Sequence, residues 1–193
     1  MCSKQMAGNS KKKLRAQILA KRAQKHSTDS FIAVAEVDSV CNMAAATDQL
    51  KAGNDAVTSK NVLKQLLKFP AFVSAGAVAV YESFGAEPDT TEIIRWCEAQ
   101  GKQVLVPDRD WSLYRFQGGD ISQADFIIVP ALAVDRQGHR LGRGGGWYDR
   151  VLVHKRLETP VVALVYSDEV LQSIPHEPHD IPVDYWLSAY FNK

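Results

Sequence analysis

Two hydrophobic rhythms divide the chain. In "SKKKLRAQILAKRAQKH" (10–26), Leu14 and Ile18 fall one turn apart among Ala and long straight side chains, which predicts a helix. The pattern does not decide whether the residues before it, within 1–10, are ordered. "SFIAVAEVDSVCNMAAA" (30–46) suits a second helix capped by Asp29. The polar stretch 47–60 reads as a surface loop, and "NVLKQLLKF" (61–69) as a third helix that Pro70 ends.

Beyond residue 70 the rhythm changes to short apolar runs of strand length. They are "AGAVAVY" (75–81), "KQVLVP" (102–107), "SLYRF" (112–116), "ADFIIVP" (124–130), "PVVALVY" (160–166) and "VDYWLS" (183–188). Helical patterns separate them. "DTTEIIRWCEAQG" (89–101) has Asp89 and Glu92 at capping-box spacing and Gly101 at the C-terminal end. "GWYDRVLVHKR" (146–156) and "DEVLQSI" (168–174) suit two further helices. Continuous apolar strands alternating with helices predict an α/β fold. The expected architecture is a three-layer α/β/α domain with a mostly parallel, doubly wound sheet and the N-terminal helices packed on it. One domain over 1–193 accommodates the pattern.

Composition narrows the setting. The chain is 46% hydrophobic and 23% charged, as ordinary globular proteins are. Its formal net charge of +1 argues for no particular class of partner. The distribution is uneven: residues 1–28 hold no Asp or Glu, so the remainder is net acidic. Such a start resembles a mitochondrial presequence, but lysines outnumber arginines, and a positively charged first helix ranks above that reading. Cys2, Cys41 and Cys97 are scattered without a CxxC pair, which points to a reducing compartment, the cytoplasm. No apolar run approaches the ~18–20 residues of a membrane span. No membrane or nucleic-acid partner is expected, and a monomer is. An RNA-associated reading would rest on the basic helix alone, without interleaved aromatics.

The candidate chemistry lies in "FIIVPALAVDRQGHRLGRGGGWYDR" (126–150): a buried strand, a connection, a glycine-rich loop, then a helix. In open α/β sheets, ligands bind beyond the carboxyl ends of strands. Glycines let backbone N–H groups approach an anion, a helix N-terminus adds partial positive charge, and Arg140 and Arg143 can fork onto phosphate oxygens. Asp149, just inside the helix, can hold Mg²⁺ beside phosphates. The run is neither a Walker loop nor a dinucleotide fingerprint. Taken alone it divides evenly between a phosphate cradle and a structural turn. His176 and His179, flanked by prolines and without a third His or Cys nearby, do not make a transition-metal site.

The stretch "VPALAVDRQGHRLGRGGGWYDR" resembles the signature of the 5-formyltetrahydrofolate cyclo-ligase family, also called methenyltetrahydrofolate synthetases. "KKKLR", "VYESFGAEPDTTEII" and "PHEPHDIPVDYWLS" resemble further family segments in the same order, so the likeness runs from about residue 11 to 188. The resemblance implies ATP-dependent cyclisation of 5-formyltetrahydrofolate to 5,10-methenyltetrahydrofolate with Mg²⁺ present. It further implies that Lys11, Arg15, Arg140, Gly142, Arg143, Gly144, Gly145, Gly146, Trp147 and Tyr148 meet ATP. Lys11, Arg140 and Tyr148 would be catalytic. Glu87, Trp147 and Tyr148 would meet the folate, and Asp149 and Asp180 would be the metal ligands. The chain departs from the family in three places, the mildest a polar insertion around residues 47–60, since surface loops tolerate length changes. Trp stands at 147 where Tyr is usual, and only "QGGDISQ" (117–123) joins two strands where relatives carry a longer stretch near the folate. A nucleotide-binding paralogue without efficient folate turnover is the alternative reading.

Overall fold

The computed structural model describes residues 2–28, 54–110 and 114–189. The first helix, α1 (Cys2–Thr28), begins well before residue 10; its early residues contain no proline to stop it. The helix expected over 30–46 lies outside the described residues. Helix α2 (Asn54–Leu66) takes in 54–60, which composition alone reads as loop. Pro70 follows two turn residues and then opens a short helix, α3 (Pro70–Ser74), at a position where its missing N–H costs nothing.

The main sheet has six strands in the order β3-β2-β1-β4-β7-β9. They are β1 (Ala77–Val80), β2 (Gln103–Pro107), β3 (Phe116–Gln117), β4 (Phe126–Pro130), β7 (Val161–Tyr166) and β9 (Tyr185–Ala189). All neighbours pair in parallel except β3, which runs antiparallel to β2 at one edge. Strand β1 is buried along its whole length, as is β7, which is why their sequences are continuously apolar.

Helix α4 (Thr91–Ala99) links β1 to β2 across one face. There Val62, Leu66, Phe72, Ile93 and Cys97 pack on Val78, Val80, Phe126, Ile128, Val162 and Leu164. Asp89 accepts bonds from the Thr91 N–H and hydroxyl, Glu92 pairs with Arg95, and the residue at the helix boundary is Thr90. Gly101 does adopt the left-handed conformation, at φ +69°.

The other face is covered differently. Between β4 and β7 the chain makes β5 (Ala133–Asp135), β6 (Arg140–Leu141) and α5 (Trp147–Leu152). Strand β8 (Val170–Leu171) joins β5 and β6 in a second sheet, order β6-β5-β8. The segment expected as helix 168–174 is instead a 3-10 turn, Ser167–Glu169, followed by this strand, because Val170 and Leu171 pair with Val134 and Asp135. Leu152, Val134 and Val183 pack on Ala79, Ile127, Val129, Ala163 and Val165. Helix α1 rests on the small sheet rather than the main one, with Leu14 and Ile18 against Leu132, Ala133, Leu141 and Ile174. The sheet is thus doubly wound, with α4 on one face and α5 on the other. The winding reverses between β1 and β4, and the loops that leave those two strands diverge there.

Candidate active site

The loops from that switch point bring the predicted residues together. After β4 the chain turns through β5 and β6, and one buried carboxylate organises the turn. Asp135 is fully buried and accepts bonds from the backbone N–H groups of Gln137, His139 and Ile174, and from His139 Nδ1. Burial opposes its ionisation, but these donors outweigh burial and hold its carboxyl below the usual range. His139 in turn lies flat on His176, with ring centroids 3.7 Å apart. Gly138, at φ +85°, leaves no room for a Cβ against the Val183 carbonyl.

The turn delivers Arg140 into the interior. Its Nη2 donates to Asp149 Oδ1 at 2.6 Å, and its guanidinium lies 5.6 Å from the Tyr148 ring centre. Asp149 Oδ1 also accepts the Ile181 N–H. Helix α1 supplies two more cations. Lys11 Nζ donates to Asp180 Oδ2 at 2.5 Å and lies 3.5 Å from Glu177 Oε1. Arg15 Nε donates to the Gly142 carbonyl at 2.9 Å. Burial raises the cost of the Asp180 charge, yet the Lys11 bond and the Glu177 N–H keep its carboxyl below the ordinary range.

The glycine loop curls between these groups. Gly144 has φ +105° beside the Arg15 guanidinium, whereas Gly142 and Gly145 face open space where a side chain would stand. Gly146, at φ +63°, is the residue before α5. That helix has only six residues. The N-terminal helix charge expected from sequence is therefore a minor contributor. Arg143 Nε reaches across to Glu87 Oε1 at 2.9 Å, joining the loop after β6 to the loop after β1.

Among the described residues neither the buried Tyr148 hydroxyl nor Arg140 Nε has a hydrogen-bond partner. Burial pushes the Tyr148 phenol well up, with Glu87 adding to the rise and Arg140 opposing it, so it remains a neutral donor. Trp147 packs edge-on to Tyr148 and against Tyr114 and Phe116.

Sequence reasoning missed several contributors. Glu177 joins the Lys11 pair, and Arg150 bonds both the Tyr114 hydroxyl and the Gly145 carbonyl. The period-two spacing of Tyr114 and Phe116 was a signal that both face one neighbour. Residues 112 and 113 of the expected 112–116 strand lie outside the described residues; of the described ones Phe116 pairs with β2, and so does Gln117 just beyond that range. The short "QGGDISQ" segment is a tight turn: Gly118 (φ +88°) sits against the Val104 carbonyl, and Asp120 and Gln123 cap a 3-10 turn.

The metal expectation fits only in part. Asp149 accepts the N–H of Ile181, the residue that follows Asp180, but each of the two carboxylates is already paired with a cation. Among the described residues no cluster of three or more His, Cys, Asp or Glu side chains is disposed to hold a metal.

A sequence profile of 5-formyltetrahydrofolate cyclo-ligases matches residues 7–117 and 114–188. The chain belongs to the 5-formyltetrahydrofolate cyclo-ligase family. A 5-formyltetrahydrofolate cyclo-ligase of Mycolicibacterium smegmatis is 34% identical over 145 residues, covering 60% of this chain and 75% of that protein. One from Escherichia coli K12 is 28% identical over 151 residues, covering 62% and 81%. The fold is shared with the 5,10-methenyltetrahydrofolate synthetase of Aquifex aeolicus, at a TM-score of 0.66 and 23% identity over 95% of this chain and 90% of that one. It is also shared with the Mycoplasma pneumoniae synthetase, at 0.62 and 18% over 91% and 96%.

Part of the basic charge of α1 is paired within the fold. Lys21 and Lys25 pair with Asp168, and Arg22 pairs with Glu169. No helix among the described residues is long and apolar enough to cross a membrane.

Proposed function

We propose that the protein is an ATP- and Mg²⁺-dependent 5-formyltetrahydrofolate cyclo-ligase, a cytoplasmic monomer that converts its substrate to 5,10-methenyltetrahydrofolate. Family membership supports the reaction class. The observation that carries the site is the pair of unsatisfied buried atoms, Arg140 Nε and the Tyr148 hydroxyl, beside the glycine loop. A buried donor without a partner is costly, and a ligand oxygen would satisfy both.

A formyl oxygen on N5 is a poor leaving group. In the proposed reaction it attacks the γ-phosphorus of ATP and ADP departs. N10 then attacks the formyl carbon and loses its proton, and the oxygen leaves as phosphate. Mg²⁺, held by Asp149, Asp180 and phosphate oxygens, would offset phosphate charge. The protein supplies position and field. Arg140 and Lys11 face the phosphates with full charges, and the Gly142–Gly146 backbone admits them closely. Tyr148, kept neutral, donates a hydrogen bond to an oxygen on the transferring group. Glu87 accepts from the donor edge of the pterin, and Trp147 offers it a flat wall.

The test is turnover of 5-formyltetrahydrofolate with Mg²⁺, with and without ATP, followed by methenyl absorbance. ATP-dependent product is expected. ATP binding without product, where a known cyclo-ligase works, would leave a nucleotide-binding paralogue instead. Arg140→Ala should lower kcat/KM by roughly 10²-fold or more, the usual scale for removing one charge-stabilising group. Asp149→Asn, which keeps the shape and an acceptor for Arg140, separates loss of charge from loss of folding.

A further inference from the structure

We propose that the Arg143–Glu87 ion pair is a latch between the two substrate loops, so that each substrate frees the group that binds the other. This rests on the reading of Glu87 as the pterin-holding carboxylate and of the glycine loop as the ATP site. Among the described residues three cations of the site, Lys11, Arg140 and Arg143, pair with carboxylates, and the first two are largely buried. Arg143–Glu87 differs: the Arg143 side chain is 48% exposed and that of Glu87 only 10%.

Both oxygens of Glu87 are engaged. Oε1 accepts from Arg143 Nε at 2.9 Å and Oε2 from the Phe84 N–H at 3.1 Å. The loop carrying Glu87 is pinned at several points. The Tyr81 hydroxyl donates to the Pro88 carbonyl, the Thr90 hydroxyl to the Tyr81 carbonyl, and Ser83 to Asp89. Arg143, by contrast, stands between Gly142 and Gly144, where the backbone has most freedom. The arginine is therefore the partner that moves. A triphosphate arriving in the loop competes for its guanidinium, because phosphate matches that fork as well as a carboxylate does. When Arg143 turns to phosphate, Glu87 Oε1 is open to the pterin's N–H groups. Linkage makes the effect reciprocal. An ion pair half open to water is weak enough to exchange.

Calorimetry decides the matter, using 5-formyltetrahydrofolate and the β,γ-imido analogue of ATP with Mg²⁺. In the wild type the analogue should tighten folate binding by roughly two- to five-fold, the range such a pair can carry. Arg143→Ala should bind folate tighter by the same factor without nucleotide, gain nothing more from the analogue, and bind the analogue less well. Arg143→Lys, which keeps a charge within reach, should restore part of the coupling. If Arg143 serves phosphate alone, Arg143→Ala leaves nucleotide-free folate affinity unchanged, and the latch is refuted. Weaker folate binding by Arg143→Ala refutes it too, by making the arginine a folate ligand. A wild type that turns over but binds the two ligands independently overturns the latch alone. One that binds neither overturns the cyclo-ligase reading with it.

Discussion

Arg22 and Lys11 sit on the same helix and are both buried, with 2% and 6% of their surface exposed, yet their surroundings differ. Arg22 grips Glu169 with Nε at 2.6 Å and Nη2 at 2.7 Å, and gives a further bond to the Ala131 carbonyl. Glu169 Oε2 also accepts the Tyr166 N–H. Burial works against the Arg22 charge, and the Glu169 carboxylate more than offsets it. Lys11 holds Asp180 by one hydrogen bond beside the open glycine loop. The first pair is interlocked with the β7 end and holds α1 on the body. In the proposed reaction the second uses that helix to present a charge that a ligand can claim. Burial of a charge does not by itself mark function; what matters is whether its partners can be exchanged.

That distinction breaks if the two cations respond alike to removal. Arg22→Ala leaves Glu169 buried without its cation and should cost about 3–5 kcal/mol of stability. Chemical denaturation would show a large fall in midpoint, and Lys11 and Arg15 would lose their place along with the helix. Lys11→Ala should cost only about 1–2 kcal/mol, because Asp180 keeps the Glu177 N–H. Its larger effect belongs in steady-state kinetics, as a fall of roughly 10²-fold in kcat/KM. Equal stability losses with full activity in both variants would make Lys11 another clamp.

Acid sharpens the same contrast. The Asp180 carboxyl lies lower in the folded protein than in the unfolded chain. A depressed carboxylate stabilises the fold above its unfolded value, and that contribution is lost as pH falls through the folded one. The stability difference between wild type and Asp180→Asn should therefore be flat from about pH 5 to 8 and shrink below about pH 4. Asp168, bonded by Lys21 and Lys25, is lowered against its burial in the same way, so acid loosens α1 at a second point. A difference that changes between pH 6 and 8 would assign the linkage to another group.

Much of this was legible from pattern. The strands β1, β4 and β7 are continuous apolar runs because they are buried on both faces, and the sheet follows from them. The small sheet was not legible: β6 and β8 have two residues each, too short for any period to show. The site was legible where its residues are close in sequence, from Arg140 to Asp149. The pairing of each cation with its carboxylate was hidden. Lys11 and Asp180 meet across 169 positions, and only the fold shows that Lys11 reaches Asp180 while Arg22, on the same basic helix, pairs with Glu169.

The glycines of one motif offer the finest version of the comparison. Gly138 is required by the fold: its φ is positive and a Cβ would strike the Val183 backbone. Gly145 has no such reason, since nothing lies within 4 Å of the place a Cβ would take and its φ is not in the left-handed region. Alanine there removes unfolded-chain entropy without strain, so stability should hold or rise by about 0.4–1 kcal/mol. If the loop is a phosphate cradle, the added methyl blocks close approach of the backbone to an oxygen. One charge-assisted hydrogen bond is then lost, about 1.5 kcal/mol or roughly ten-fold in ATP affinity. Thermal melts with nucleotide titration of Gly145→Ala read both effects. Unchanged ATP affinity would mean that the phosphates lie elsewhere, and that open space beside a glycine is not by itself a sign of a ligand.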